Sequence, residues 1–146
     1  MKTKRPLWDA YFMGIAHAVS HRSTCDRNHV GAVIVRDNTV LATGYNGSVR
    51  GLPHCAKTGH MMVNGHCTTT VHAEVNAIVQ AARIGVAIQG GAMYVTSSPC
   101  WNCFKLIANA GITKICYGKE YGTDTALVKK YARRAGIILK RTAVLN

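Results

Sequence analysis

Two short segments, VHAEVNAI at residues 71–78 and SSPCWNC at 97–103, constrain this chain more than anything else in it. Cys100 and Cys103 stand three residues apart at the predicted start of a helix. That spacing puts both side chains on one face, where the helix dipole favours the thiolate form a metal requires. His72, at the start of another helix, supplies a third ligand. Three protein ligands leave a tetrahedral zinc with one open position, the arrangement of a catalytic rather than a closed structural site. Glu74, two residues past His72, belongs beside the metal without having to bind it and offers a carboxylate to move protons. A lone C-x-x-C reads equally well as a redox pair or half of a zinc ribbon; the His-x-Glu before it and the alternating helix-strand order around both argue against those readings.

The pattern around the two segments alternates helix and strand. Leu7 to Ser20 predicts a helix with Leu7, Tyr11, Ile15, Ala18 and Val19 on its apolar face. Val30–Val35 and Thr39–Tyr45 predict an antiparallel hairpin turning at Asp37-Asn38. Val71 to Ile84 is a second helix with Val71, Val75, Ile78 and Ala82 inward and Gly85 ending it. Strand 93–96, a helix opened by Ser97-Ser98-Pro99 and running to Gly111, strand 112–117, a helix capped by Asp124 and strand 137–140 follow. Single-helix crossovers make the last strands parallel, so the sheet is mixed: an α/β, three-layer α-β-α fold with five strands and helices on both faces. Between Asn46 and Thr70 periodicity disappears, and a loop of that length in a compact domain must be tied down.

At 146 residues the chain reads as one domain over residues 1–146. No apolar run approaches the ~20 residues of a membrane span. The stretch after MKTKRPLWDA is broken by Asp9, His17 and His21 and is no signal peptide, so a cytoplasmic protein with no membrane partner is expected. Lys plus Arg number 18 against 6 for Asp plus Glu, an excess that attracts phosphorylated ligands. Aromatic residues make up only 7%, with no platform for stacked bases, which argues against nucleic acid as the partner. His17, His21 and His29 lack ligand spacing and read as surface or lightly packed groups; Cys116 reads as core.

His72, Glu74, Pro99, Cys100 and Cys103 match the H-x-E and P-C-x-x-C signature of zinc deaminases. With RSTCDRNHVGAVIV at 22–35, ATGYNGS at 42–48 and GHCTTTVHAE at 65–74, nearly the whole chain resembles the deoxycytidylate (dCMP) deaminase family of the cytidine deaminase-like superfamily. The resemblance implies zinc-dependent hydrolysis of dCMP to dUMP and ammonia, the precursor supply for thymidylate. It also implies that Asn46 bonds the deoxyribose 3′ hydroxyl, that the Ala73 backbone meets the base carbonyl, and that the backbone near Ser97 and Ser98 accepts from the exocyclic amine. Arg22, Ser23 and Arg27 are the nearest phosphate candidates. Family members commonly form hexamers switched by dCTP and dTTP, with Mg2+ accompanying the triphosphate; Gly44, Tyr45 and Gly47 match the effector segment. Thr69 stands where relatives carry arginine and Lys57 where an acid is common, implying a lost loop ion pair. The alternatives are a modified cytosine nucleotide, a base in nucleic acid, or a zinc module without catalysis, for which Glu74 has no use.

Some family members hold a second, structural zinc at the positions of Cys25 and Cys55. Here Cys25, Cys55 and Cys67 accompany His54, His60 and His66 in or beside the long loop. The expected ligands are Cys25, Cys55, Cys67 and His66, ahead of His60; free buried thiols and surface histidines are the alternative.

Overall fold

The computed structural model describes residues 4–143. In chain order these form α1 (Trp8–Ser20), β1 (Gly31–Arg36), β2 (Thr39–Tyr45), β3 (Gly47–Ser48), α2 (Cys55–Thr58), β4 (Met62–Val63), β5 (His66–Cys67) and β6 (Thr70–Val71). After them come α3 (Ala73–Ile84), β7 (Ala92–Ser97), α4 (Trp101–Asn109), β8 (Lys114–Lys119), α5 (Thr125–Arg134) and β9 (Ile138–Arg141). The main sheet has the order β2-β1-β7-β8-β9. β1 is antiparallel to β2 and β7, whereas β7, β8 and β9 run parallel. This is the mixed five-stranded sheet expected from the sequence. Asp37 and Asn38 both take positive φ (51° and 58°), the paired left-handed conformation whose twist suits a two-residue hairpin turn.

Strands buried on both faces read as unbroken apolar runs, and their alternation feeds two cores. Val33, Val35, Tyr94 and Cys116 pack against Phe12, Met13 and Ala16 of α1. Ala32, Ile34, Met93, Val95 and Ile115 lie beneath Ala77 and Ala81 of α3, Phe104 and Ile107 of α4 and Val128 of α5. The layers are therefore α1, the sheet, and the group α3, α4 and α5.

On two helices the inward face only partly overlaps the one their large apolar residues predict: Ile15 and Val19 of α1 and Val75 and Ile78 of α3 pack against the cores, but the most buried positions lie elsewhere. On α1, Leu7 is 81% and Tyr11 48% exposed, and Phe12, Met13 and Ala16 are buried instead. On α3 the buried residues are Ala73, Glu74, Ala77 and Ala81, while Ala82 is exposed. The reason lies in how close the layers come. At Gly44 of β2 a side chain would overlap the Ala73 carbonyl and the Ala77 amide, so α3 rests almost backbone to backbone on the hairpin and only small residues fit between. Gly31 gives α1 the same close approach at Ala16 and Ser20. This height sets where the first turn of α3, with His72 before it, stands over the sheet.

The segment 46–70 is not structureless. β3 pairs with β6 and β4 with β5, and Asn64 and Gly65, both at positive φ, turn the second pair. Strands of two residues leave no periodicity to read, although Asn-Gly is itself a hairpin signal.

Asp9 ties the layers together. Its carboxylate accepts from Tyr94 Oη (2.8 Å), Lys114 Nζ (2.6 Å) and Lys140 Nζ (2.8 Å), joining α1 to β7, β8 and β9. Burial opposes its charge, but the bonds from Lys114, Lys140 and Tyr94 outweigh that and hold the carboxyl at about 2 against 3.8. A folded-state pKa below the unfolded one stabilises fully above the unfolded value and is lost on acidification. Asp9→Asn is expected to cost roughly 1–2 kcal/mol at neutral pH, allowing for the exposed lysines. In urea unfolding the gap to the parent protein should close as pH falls from about 4 to about 2.

Candidate active site and metal centre

α3 and α4 both begin at the carboxyl end of β7, and the residues that open them face each other. His72 precedes α3 and Cys100 precedes α4, each in extended backbone (ψ 152° and 168°), so their side chains lean past the helix ends. His72 Nδ1 lies 3.6 Å from Cys100 Sγ and 3.3 Å from Cys103 Sγ. The three donor atoms fall within 4.8 Å of one another. Ligand bonds of zinc length in a tetrahedron separate nitrogen from sulfur by about 3.6 Å, so the set has the spacing and the chemistry that zinc takes.

The electrostatics agree. Hydrogen bonding from the Cys103 thiol, helped by His72, holds Cys100 down to about 4 despite its burial. Cys103 is pushed up by the same contact and by burial. The Cys100 contact raises His72. Glu74, 4% exposed on the first turn of α3, is pushed up to about 7 by burial. A dication held by its neighbours acts on it in the opposite sense.

Proline does not enter the helix as expected: β7 runs through Ser97, and α4 starts only at Trp101. Asp124 likewise makes no side-chain cap to its own helix. Its Oδ2 accepts instead from the Trp101 amide (2.9 Å), between the two cysteines, so it caps α4 from across the site. Ser98 Oγ accepts from the Tyr121 amide (2.8 Å) and lies 3.2 Å from Thr125 Oγ1, which fastens the segment after β8 over the same turn.

A cavity of about 290 Å³ opens onto the donor set, with His72, Ala73, Glu74, Ser97, Ser98, Cys100 and Asn46 in its wall. The Asn46 amide is largely committed: Oδ1 accepts from Val30 N–H and Nδ2 donates to Asn28 O, both at 2.8 Å, leaving one N–H for a ligand. Ser97 Oγ is buried with no partner. Of the phosphate candidates, Arg27 lines the cavity, whereas Arg22 and Ser23 do not. Ser23 Oγ donates to Asn46 O (2.9 Å) and braces the backbone. Sequence reading missed Asn28, Lys119 and Tyr121, which also line the cavity. The available signal was position, since loops at the carboxyl ends of parallel strands form binding crevices.

The second thiol cluster forms around His60, not His66. Cys55, His60 and Cys67 bring donor atoms within 4.8 Å, and Cys25 with Asp26 approaches the same histidine. Cys55 and Cys67 Sγ are 3.9 Å apart, and His60 Nδ1 lies 3.3 Å from Cys67 Sγ. His60 Nε2 pairs with Asp26 Oδ1 at 2.7 Å, the outer carboxylate contact that orients a metal-binding imidazole. Thr69 Oγ1 contacts both sulfurs, at 3.1 and 3.0 Å. Burial opposes ionisation of Cys67, but the Thr69 and Thr70 hydroxyls and His60 hold it at about 5. His66 is exposed and lines the catalytic cavity. Gly44, Tyr45 and Gly47 wall a separate cavity of about 520 Å³ with Arg50 and Arg83.

A mixed α-β-α sandwich carrying His/Cys/Cys beside a buried carboxyl group defines a zinc-dependent hydrolase of the cytidine deaminase-like fold. Residues 6–119 match the model for the cytidine and deoxycytidylate deaminase zinc-binding region, and the chain belongs to that family. ComE operon protein 2 of Bacillus subtilis is 48% identical over 138 residues, covering 94% of this chain and 72% of that protein. Deoxycytidylate deaminase of Mycobacterium phage D29 is 40% identical over 127 residues, covering 80% and 98%. The structure of dCMP deaminase from cyanophage S-TIM5 in complex with dCMP and dUMP superimposes with a TM-score of 0.81 at 30% identity, over 96% of this chain and 100% of that one. No helix among the described residues is long and apolar enough to cross a membrane.

The unexpected cap gives a direct check. Asp124→Ala is expected to cost about 1 kcal/mol in chemical unfolding, the usual loss of a helix cap, and to speed zinc release to a chelator.

Proposed function

We propose that this chain is a deoxycytidylate deaminase, one domain over residues 1–146, converting dCMP and water to dUMP and ammonia and so supplying the precursor of thymidylate. The observation that carries the reading is the buried Glu74 carboxyl beside His72, Cys100 and Cys103 at the floor of the cavity. The named activity of the D29 relative and the dCMP and dUMP in the S-TIM5 complex support the choice of substrate.

His72, Cys100 and Cys103 hold the zinc, which when bound supplies the Lewis acidity that makes water nucleophilic near neutral pH. Glu74 takes a proton from the attacking water at its carboxylate and passes it to the ring nitrogen; it then takes the second proton, from the hydroxyl now on the ring carbon, and gives it to the amine, which leaves as ammonia as that carbon becomes a carbonyl. The Ala73 amide meets the base carbonyl, the backbone at Ser97 and Ser98 orients the amine, and the free N–H of Asn46 serves the 3′ hydroxyl. Arg27 and Lys119, cations in the same wall, serve the phosphate.

Regulation by dCTP and dTTP, with Mg2+ on the triphosphate, belongs to the same proposal. The cavity of Gly44, Tyr45 and Gly47 supports it, having two arginines among its lining residues and no acid. A homohexamer in the cytoplasm completes the reading.

Glu74→Gln is expected to keep fold and zinc content while turnover falls about 10³-fold or more; near-normal turnover would remove the proton shuttle. Rates on dCMP, 5-substituted dCMP, cytidine and a single-stranded oligonucleotide, with and without dCTP and dTTP, test the substrate. Activity confined to the polymer or to a modified nucleotide would overturn it.

We further infer a second, structural zinc on Cys55, His60 and Cys67, with Cys25 as fourth ligand. The sulfur and nitrogen spacings and the Asp26 contact support it. Elemental analysis should give two zincs per chain, falling to one in His60→Ala and staying at two in His66→Ala. One zinc in the parent protein would end the idea.

A further inference from the structure

Among the described residues three buried side-chain polar atoms lack a hydrogen-bond partner: Ser97 Oγ, His17 Nε2 and Thr142 Oγ1. Ser97 lines the catalytic cavity. The other two residues line a different one, of about 270 Å³, on the far side of Lys119. Buried polar atoms are nearly always satisfied, so an unpartnered pair in the wall of one cavity points to a ligand that satisfies both.

This second cavity lies where α1, the start of β1 and the carboxyl ends of β8 and β9 meet. His17 comes from α1, His29 precedes β1, Gly118 and Lys119 end β8, and Thr142 follows β9. Thr142 is 8% exposed, and its hydroxyl has only the buried Cys116 thiol, a weak partner, beside it. Every ionisable group among the described lining residues is basic: His17, His29 and Lys119. The neighbouring acid, Glu120, is engaged elsewhere, accepting from Lys129 Nζ (2.7 Å) and Tyr117 Oη (3.4 Å). A hydroxyl, imidazoles and an ammonium form a donor set without a carboxylate, which suits an oxyanion with several acceptor atoms. A volume of about 270 Å³ has room for a tetrahedral oxyanion.

We propose that this cavity is a binding site for a phosphate-class oxyanion, held by His17, Thr142 and Lys119 and separate from the catalytic cavity. Lys119 lines both cavities. An anion behind it therefore draws on the same charge that faces the substrate.

Calorimetric titration of the zinc-loaded protein with inorganic phosphate tests the proposal, with glycerol 3-phosphate as a second arm to separate the free ion from a phosphomonoester. Saturable phosphate binding is expected, weakened about tenfold in Thr142→Val and in His17→Gln and unchanged in Arg27→Ala, which alters only the catalytic wall. The two first variants cover each other should one fail to fold. Absence of saturable binding overturns the site. So does binding that survives both cavity variants, or that is lost in Arg27→Ala, since phosphate would then be entering the catalytic cavity. Tighter binding of glycerol 3-phosphate than of phosphate assigns the site to phosphomonoesters; the reverse assigns it to the free ion.

Discussion

Two helices begin at one point over the end of β7, and the positive ends of their dipoles meet in a largely buried place. Such an arrangement needs negative charge close by. The chain supplies it from three directions: the Cys100 thiolate at the start of α4, the Asp124 carboxylate on the Trp101 amide, and the Glu74 carboxyl in the first turn of α3. The groups that make the junction tolerable are the ones its chemistry uses. A zinc ion held by His72, Cys100 and Cys103 would be compatible with the helix ends, because its cysteine ligands bind as thiolates and carry the compensating charge. The rest of the fold serves to keep the two helix starts in register.

That register comes from backbone contacts that side chains would prevent. Gly44 lets α3 settle on the hairpin through Ala73 and Ala77, and Gly31 does the same for α1 on the opposite face. With both outer layers this close, the parallel strands β7 and β8 end at one edge, and the loops leaving them shape both cavities. The segment after β8 is held at two points, its Tyr121 amide on Ser98 Oγ and its Asp124 carboxylate on the Trp101 amide. Lys119 enters it as the shared wall between substrate and the second cavity.

The segment 46–70 follows a different logic. Leu52, Met61, Met62 and Val63 are exposed, so hydrophobic burial does little to order it. Cys55, Cys67 and Thr69 with the His60–Asp26 pair form a compact polar knot in place of a core. Thr69 has its place there as the hydroxyl that contacts both sulfurs.

Much of this was written in local sequence. Strand and helix order, the hairpin at Asp37-Asn38, the mixed sheet and the grouping of His72, Glu74, Cys100 and Cys103 depend on periodicity, turn chemistry and ligand spacing, which neighbouring residues carry. What the tertiary structure decided depends on distance between layers or between loops. That Ala73, Ala77 and Ala81 are the most buried apolar residues of α3, ahead of the larger residues that periodicity selects, was set by how near the hairpin lies at Gly44. That Asp124 caps α4 instead of its own helix, that His60 rather than His66 joins Cys55 and Cys67, and that Lys119 borders two cavities are contacts between segments far apart in the chain. No local pattern records them, because the free energy that selects each partner exists only once the fold has brought both into reach.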